Sequence, residues 1–345
     1  MAEAHGVTGL ISNRLLPLEN KLSYGSLQEI LCGLRRRRVL ASMALIAEMF
    51  RVLKILNGAQ VAAAVVKGPP LSVRAFANPS VRHYGDVDFL MPSCEIERAS
   101  GALTAAGFRG EISADAVGKR KSPGQYAFRR SEDRPLIELH TERTLRYFPK
   151  PLPVEEFLRR RTTVVIDGRV VPALSLEDEF VLLSVHGAKH FWERLTWIAD
   201  IAALVANCPQ MDWTRVQKTA ADVGADRMVR VALLLAGRTL QAPIPAELNT
   251  EIESDRACLR IVKKIETWLP YAGQQPPALL ERALFRLRMR ERLLAGAGYL
   301  TRLSLSPTEE DWIEGSNVRA ASLRESLRRP FRLARKYRRK QKGTG

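Results

Sequence analysis

Four cysteines in 345 residues are too few, and too widely spread, to build a scaffold; Cys32, Cys94, Cys208 and Cys258 form no C-x-x-C pair. That spacing argues against a disulfide framework and a cysteine zinc site, and suits a reducing compartment. No apolar run approaches the ~20 residues of a membrane span. The N-terminus shows no basic stretch followed by an apolar one, which speaks against a secretory leader. Acidic residues are scarce beside basic ones, 37 Asp+Glu against 54 Lys+Arg, and the formal charge is +17. Apolar residues make up 46% of the chain, too many for a disordered polyelectrolyte. The expectation is a basic cytoplasmic protein of roughly two or three domains with an anionic partner.

The charge is unevenly placed. Residues 317–345 hold eleven basic side chains and one acid, so this tail carries +10 and leaves +7 for residues 1–316. Counterion release or surface attraction would draw such a tail to nucleic acid or an anionic membrane. Phe331 and Tyr337 give it little aromatic surface for base stacking. Smaller basic clusters lie at Arg35–Arg38 and at Arg282, Arg286, Arg288, Arg290 and Arg292; a solvated helix face is the plain reading of each.

Apolar positions from Leu27 to Leu56 recur close to every 3.6 residues, which predicts one long helix over 26–57 ending at Asn57-Gly58. Short apolar runs predict strands at 61–66, 86–91, 125–129 and 136–141, with helices over 69–78 and 95–106. Val164–Ile166, Asp167-Gly168 and Arg169–Val171 read as a hairpin. Ser175 followed by Asp178 resembles a capping box that opens a helix. Helix is expected almost throughout the rest, with breaks near 208–209, 242–245 and 273–277. The chain divides into an N-terminal helical segment (1–58), an α/β core (59–173), a helical domain (174–316) and the basic tail (317–345). The fold class is α+β.

The chemistry concentrates in the α/β core. Alternation along a strand puts Asp86 and Asp88 on one face and Val87 and Phe89 on the other. Two adjacent carboxylates repel unless a cation lies between them. Hard oxygen ligands of this kind suit Mg²⁺ or Mn²⁺. In Leu136-Ile-Glu-Leu-His-Thr-Glu142 the alternation groups Glu138, His140 and Glu142. A D-x-D on one strand with a third acid on another is the layout of a two-metal phosphoryl-transfer site.

Taken together, Lys67-Gly68, Phe76, Asn78-Pro79, Arg82, Gly85-Asp-Val-Asp-Phe-Leu90, Glu138-Leu-His140 and the helical run Leu182–Asp200 resemble the uncharacterised nucleotidyltransferase family of the polymerase-beta-like superfamily. The resemblance spans roughly residues 30–240. It implies a small mixed sheet with helices, extended by a helical domain. It also implies transfer of an NMP group from an NTP, with release of pyrophosphate. Asp86 and Asp88 would hold the metal ions, and Glu138 would complete the site. Lys67, Gly68, Ser72 and Arg82 would contact the triphosphate. The acceptor implied is a protein or peptide hydroxyl, a sugar phosphate or an RNA end. The wider superfamily has Gly-Ser before the carboxylates, whereas Pro69 and Pro70 follow Gly68 here and lack N–H groups to donate. Lys67 is the expected replacement as a point charge. The alternative is a catalytically degenerate scaffold that binds nucleic acid or another anionic partner.

His186 and His190, four residues apart, share a helix face with Lys189 nearby. One reading sets that face, with Lys189 or Arg194, against the nucleotide. The other is helix packing, with Trp192 and Trp197 as anchors. If the helix ran on, Asp200 would lie close to the same face. His5 and His83 belong to no motif.

Overall fold

The computed structural model describes residues 1–15, 25–112, 124–142, 152–271 and 278–290. The tail at 317–345 and Arg292 lie outside them. The described residues form a mixed α+β fold with 12 α-helices and one seven-stranded sheet. No helix among them is long and apolar enough to cross a membrane.

Helix α1 (Thr8–Leu15) leads to the long α2 (Gly25–Gly58), followed by strand β1 (Ala64–Val66) and helix α3 (Gly68–Phe76). Then come β2 (Asp86–Leu90), α4 (Ile96–Ala105), the short β3 (Arg109–Gly110), β4 (Gln125–Arg129) and β5 (Leu136–His140). After α5 (Val154–Arg159), β6 (Thr162–Ile166) and β7 (Arg169–Ala173) form the hairpin read from Asp-Gly. Asp167 and Gly168 both take positive φ, 50° and 69°, as a two-residue type I′ turn requires. The helical half holds α6 (Leu176–Lys189), α7 (Leu195–Asn207), α8 (Trp213–Val223), α9 (Asp226–Leu240), α10 (Ala246–Ser254), α11 (Arg256–Trp268) and α12 (Leu279–Arg288). Ser175 caps α6, its Oγ accepting from the Asp178 N–H at 3.2 Å.

The strand order is β3-β4-β5-β2-β1-β7-β6. Only β2–β5 and β1–β7 pair in parallel. The sheet has two unlike faces. On one, Val65, Val87, Phe89, Ile137 and Leu139 form an apolar cluster with Met49, Val52 and Leu56 of α2 and Leu103 of α4. The 3.6-residue period of α2 thus buries a stripe against the sheet, while Ile30, Leu40 and Met43 remain exposed. On the other face, Ala64, Val66 and Leu90 join Leu71 of α3 and the apolar side chains of α6 to α12 in a second cluster. One continuous core therefore runs from the sheet into the helical half.

The stretch from His186 to Asp200 is two helices rather than one. Phe191 and Trp192 take left-handed φ values of 59° and 52°, which no continuous helix allows. The Trp192 ring packs so tightly on Gly187 that a Cβ there would lie 2.5 Å from it. Helix α7 starts afresh, and His5 satisfies its first turn: the Leu195 N–H donates to His5 Nδ1 (3.3 Å) and the Thr196 N–H to the His5 carbonyl (3.1 Å). Although part of no motif, His5 thus ties the N-terminus to the helical half.

Candidate active site

The parallel pairing of β2 and β5 sets Asp88 directly beside Glu138, and Leu90 beside His140. Alternation then turns Asp88, Glu138 and His140 away from the apolar cluster and toward α6. His140 Nε2 lies 3.1 Å from Asp88 Oδ1 and 3.3 Å from Glu138 Oε2. Gln125, across from His140 on β4, donates Nε2–H to Glu138 Oε2 at 2.9 Å. Asp88, Glu138 and His140 each offer one ligand atom, all within 4.8 Å of one another. Two carboxylates and an imidazole at that spacing suit a divalent cation, the carboxylates favouring a hard one.

Ionisation in this cluster follows from burial and neighbours. Burial, then the Asp88 and Glu138 carboxylates, push Asp86 up to about 6. Burial also opposes charge on Asp88, but Lys67 and His140 outweigh it and hold that carboxyl well below the usual range. Burial likewise disfavours a charged His140, yet Asp88 and Glu138 raise it to about 9. At neutral pH the site is therefore a compact set of opposite charges, with Lys67 and His140 as its cations.

Lys67 enters from the opposite side. Its Nζ donates to Asp88 Oδ2 at 3.3 Å and lies 3.0 Å from His186 Nδ1. Burial, then Lys67 and His190, keep His186 well below its ordinary pKa, so it is a neutral acceptor for the ammonium. The Lys67 backbone is unusual, with φ 58° and ψ −135°. A residue with a Cβ held in such a region costs about 1–3 kcal/mol and persists only where its surroundings over-determine it. Here the Lys67 N–H donates to Glu179 Oε1 at 3.2 Å, and Glu179 Oε2 accepts from Arg74 Nη1 at 2.7 Å. Gly68, at φ 50°, continues the turn. Pro69 and Pro70 occupy the first turn of α3, where a missing N–H breaks no helix bond. The Leu71 N–H is already bonded to the Lys67 carbonyl at 3.2 Å. This turn offers little backbone for a phosphate, and the local positive charge comes from the Lys67 side chain.

The remaining expected phosphate contacts fall in different places. Ser72 is fully buried, donating to the Asn78 carbonyl (2.6 Å) and accepting from the Arg82 N–H (3.3 Å). Arg82 is also buried, and its Nε donates to Asp200 Oδ1 at 2.8 Å. These residues fold the 77–85 loop and tie it to α7. Lys189 lies near enough to Lys67, Asp88 and Glu138 to feel their charges, and burial with Lys67 lowers its pKa. His190 is held to about 3, first by burial and then by Lys189 and Lys67. The rings of His186, His190 and Trp197 cluster with centroids 4.7–5.5 Å apart. Arg194 lies over the Trp197 ring at 5.9 Å. Glu142 leaves the cluster and accepts the Ser93 N–H with both oxygens at 3.1 Å.

Two residues of the site escaped the sequence reading. Gln125 begins an otherwise ordinary strand, and only the antiparallel register brings it to Glu138. Glu179 stands in the acidic first turns of α6, where it looks like a partner for the helix dipole. Its complete burial is visible only in three dimensions. No curated protein matches the chain. Residues 1–241, which include both carboxylate strands, the Lys67 turn and helices α6 to α9, match an uncharacterised nucleotidyltransferase family, and the chain belongs to it.

Proposed function

We propose that the protein transfers an NMP group from an NTP to a hydroxyl or phosphate acceptor, with release of pyrophosphate and dependence on Mg²⁺ or Mn²⁺. The observation that carries this reading is the in-register pair Asp88–Glu138, with Asp86 two residues before it and Lys67 facing it. Asp86, Asp88 and Glu138 would hold the metal, with His140 beside them. A bound cation of this kind neutralises the carboxylates and polarises phosphoryl oxygens. Lys67 would turn its ammonium to a phosphate oxygen of the triphosphate as a point charge. Gln125 would keep Glu138 oriented. His140 holds a proton between Asp88 and Glu138, and it would have to give that proton up to serve as a ligand or base. Lys189, at the edge of this cluster, would add positive potential along the phosphates, while His186 and His190 contribute as neutral rings. Catalysis would then be positioning and electrostatics, as phosphoryl transfer demands.

The test is incubation of the full chain with labelled NTPs, Mg²⁺ or Mn²⁺ and candidate acceptors. Replacing Asp86 and Asp88 together by Asn is expected to lower label transfer by a factor on the order of 10³. Transfer that survives the double substitution overturns the assignment. The second reading, a degenerate scaffold that binds an anionic partner, draws on the prolines of the Lys67 turn and on Asp88 being already engaged by Lys67 and His140. Calorimetry with ATP or GTP and Mg²⁺ separates the two. Absence of heat at millimolar nucleotide favours the scaffold.

A further inference from the structure

We infer that helix α6 clamps Lys67 at both ends, Glu179 holding its main-chain N–H and His186 its ammonium, and that this pair positions the lysine for substrate phosphate. The inference rests on the role proposed for Lys67 in NMP transfer. Glu179 and His186 stand two helical turns apart on α6, so both project from one side of it. Lys67 is the residue they share. The Glu179 Oε1 contact is 3.2 Å from the Lys67 nitrogen, and the His186 Nδ1 contact is 3.0 Å from Nζ.

The clamp explains the backbone. Lys67 has a side chain where the conformation favours glycine, and such a residue persists only under external constraint. Glu179 supplies the constraint because it cannot easily move. It is fully buried, and Arg74 of α3 holds its other oxygen at 2.7 Å. The same arrangement aims the side chain. Between a carboxylate oxygen 3.3 Å away and a neutral imidazole nitrogen 3.0 Å away, the ammonium has one acceptor of each kind. When a cation or phosphate competes for the Asp88 side, His186 remains to hold the ammonium at the cluster. A helix of the helical half thereby sets the geometry of a residue that precedes the carboxylate strands.

A merely structural Glu179, serving only as counter-ion to Arg74, predicts no effect on the Lys67 side chain. Lysine acylation of the full chain by an N-hydroxysuccinimide ester, read residue by residue by mass spectrometry, tells the two apart. Glu179→Ala and His186→Leu should each raise the Lys67 rate by roughly five- to tenfold, the factor that follows from losing one hydrogen bond. Exposed Lys54 and Lys218 should keep their wild-type rates. Glu179→Gln and His186→Asn, which retain an acceptor, should restore most of the protection. An unchanged Lys67 rate in His186→Leu overturns the clamp; this side chain is only partly buried, so the variant still decides the matter if Glu179→Ala loosens the whole fold. A kinetic arm adds a second check: in a Lys67→Ala background, His186→Leu should cost less kcat/KM than it does in the wild type, and fully additive losses count against coupling. The labelling result stands whether or not NMP transfer is found. Failure of the function therefore shows as absent transfer with the clamp intact, and failure of the clamp as unchanged labelling with transfer intact.

Discussion

The two faces of the sheet are made from the same strands and held by different forces. Val87 and Phe89 alternate with Asp86 and Asp88 along five residues of β2. The first pair vanishes into an apolar cluster under α2 and α4; of the second, Asp88 meets Lys67 from the end of β1 and His140 from β5. One face is stabilised by area removed from water, which is additive and insensitive to pH. The other adds to its own apolar packing a set of specific pairs, where loss of one partner strands a buried charge. The charged groups gather on the second face, beside the apolar contacts that Ala64, Val66 and Leu90 make with the helical half, and both faces supply buried apolar area.

The contrast can be broken most severely from the apolar side. Phe89→Ala should destabilise the protein by about 3–5 kcal/mol through a cavity at a fully buried site. Asp88→Asn, one residue away, should cost less, since the amide oxygen still accepts from Lys67, His186 stays beside that ammonium, and His140 can shed its proton. Chemical denaturation of the two variants measures the difference; equal losses would mean that the faces are not energetically distinct. Next comes the charged tie between the 77–85 loop and α7. Asp200→Ala leaves Arg82 buried without its partner and should cost about 3 kcal/mol, whereas the apolar double replacement Arg82→Met with Asp200→Leu should recover much of it. A double variant no more stable than the single one argues that Arg82 serves the site and not the scaffold.

Per pH unit the smallest effect is one of protonation, and it sets two histidines against each other. His190, held to about 3, stays neutral in the folded chain while the unfolded chain takes up a proton below pH 6.5. Its contribution is present above pH 6.5 and is lost as pH falls below it, by about 1.4 kcal/mol per pH unit. His140, raised to about 9, contributes fully below pH 6.5 and loses that contribution as pH rises toward 9. Thermal melts across pH 4–9 should therefore show a flatter acid limb in His190→Gln and a flatter alkaline limb in His140→Gln. The same limb flattening in both variants would contradict the opposed environments.

Much of the local architecture was legible. The long α2, the strand bearing Asp86 and Asp88, the Asp-Gly hairpin and the Ser175 cap follow from period and turn chemistry, which act over a few residues. The break after Lys189 was not, because neither Gly nor Pro marks it. Its cause is the Trp192 ring seated on Gly187. The carboxylates were legible as a set through strand alternation. Ser72 and Arg82 share a motif with them, but their side chains fold the loop.

The division has a physical basis. Residue order alone determined which strands carry acids, which helix face is apolar and where the chain turns, since these depend on steric and hydrophobic preferences of neighbours. The tertiary structure alone decided that Glu138 lies in register with Asp88, that Glu179 reaches Lys67 across 112 residues and that Arg82 reaches Asp200 across 118. Those pairings bring together polar and charged groups that would each prefer water. Burial under α6 and α7 removes that water, so the Lys67 N–H turns to Glu179, Arg82 to Asp200, and the Asp88 and Glu138 carboxylates to the cations Lys67 and His140.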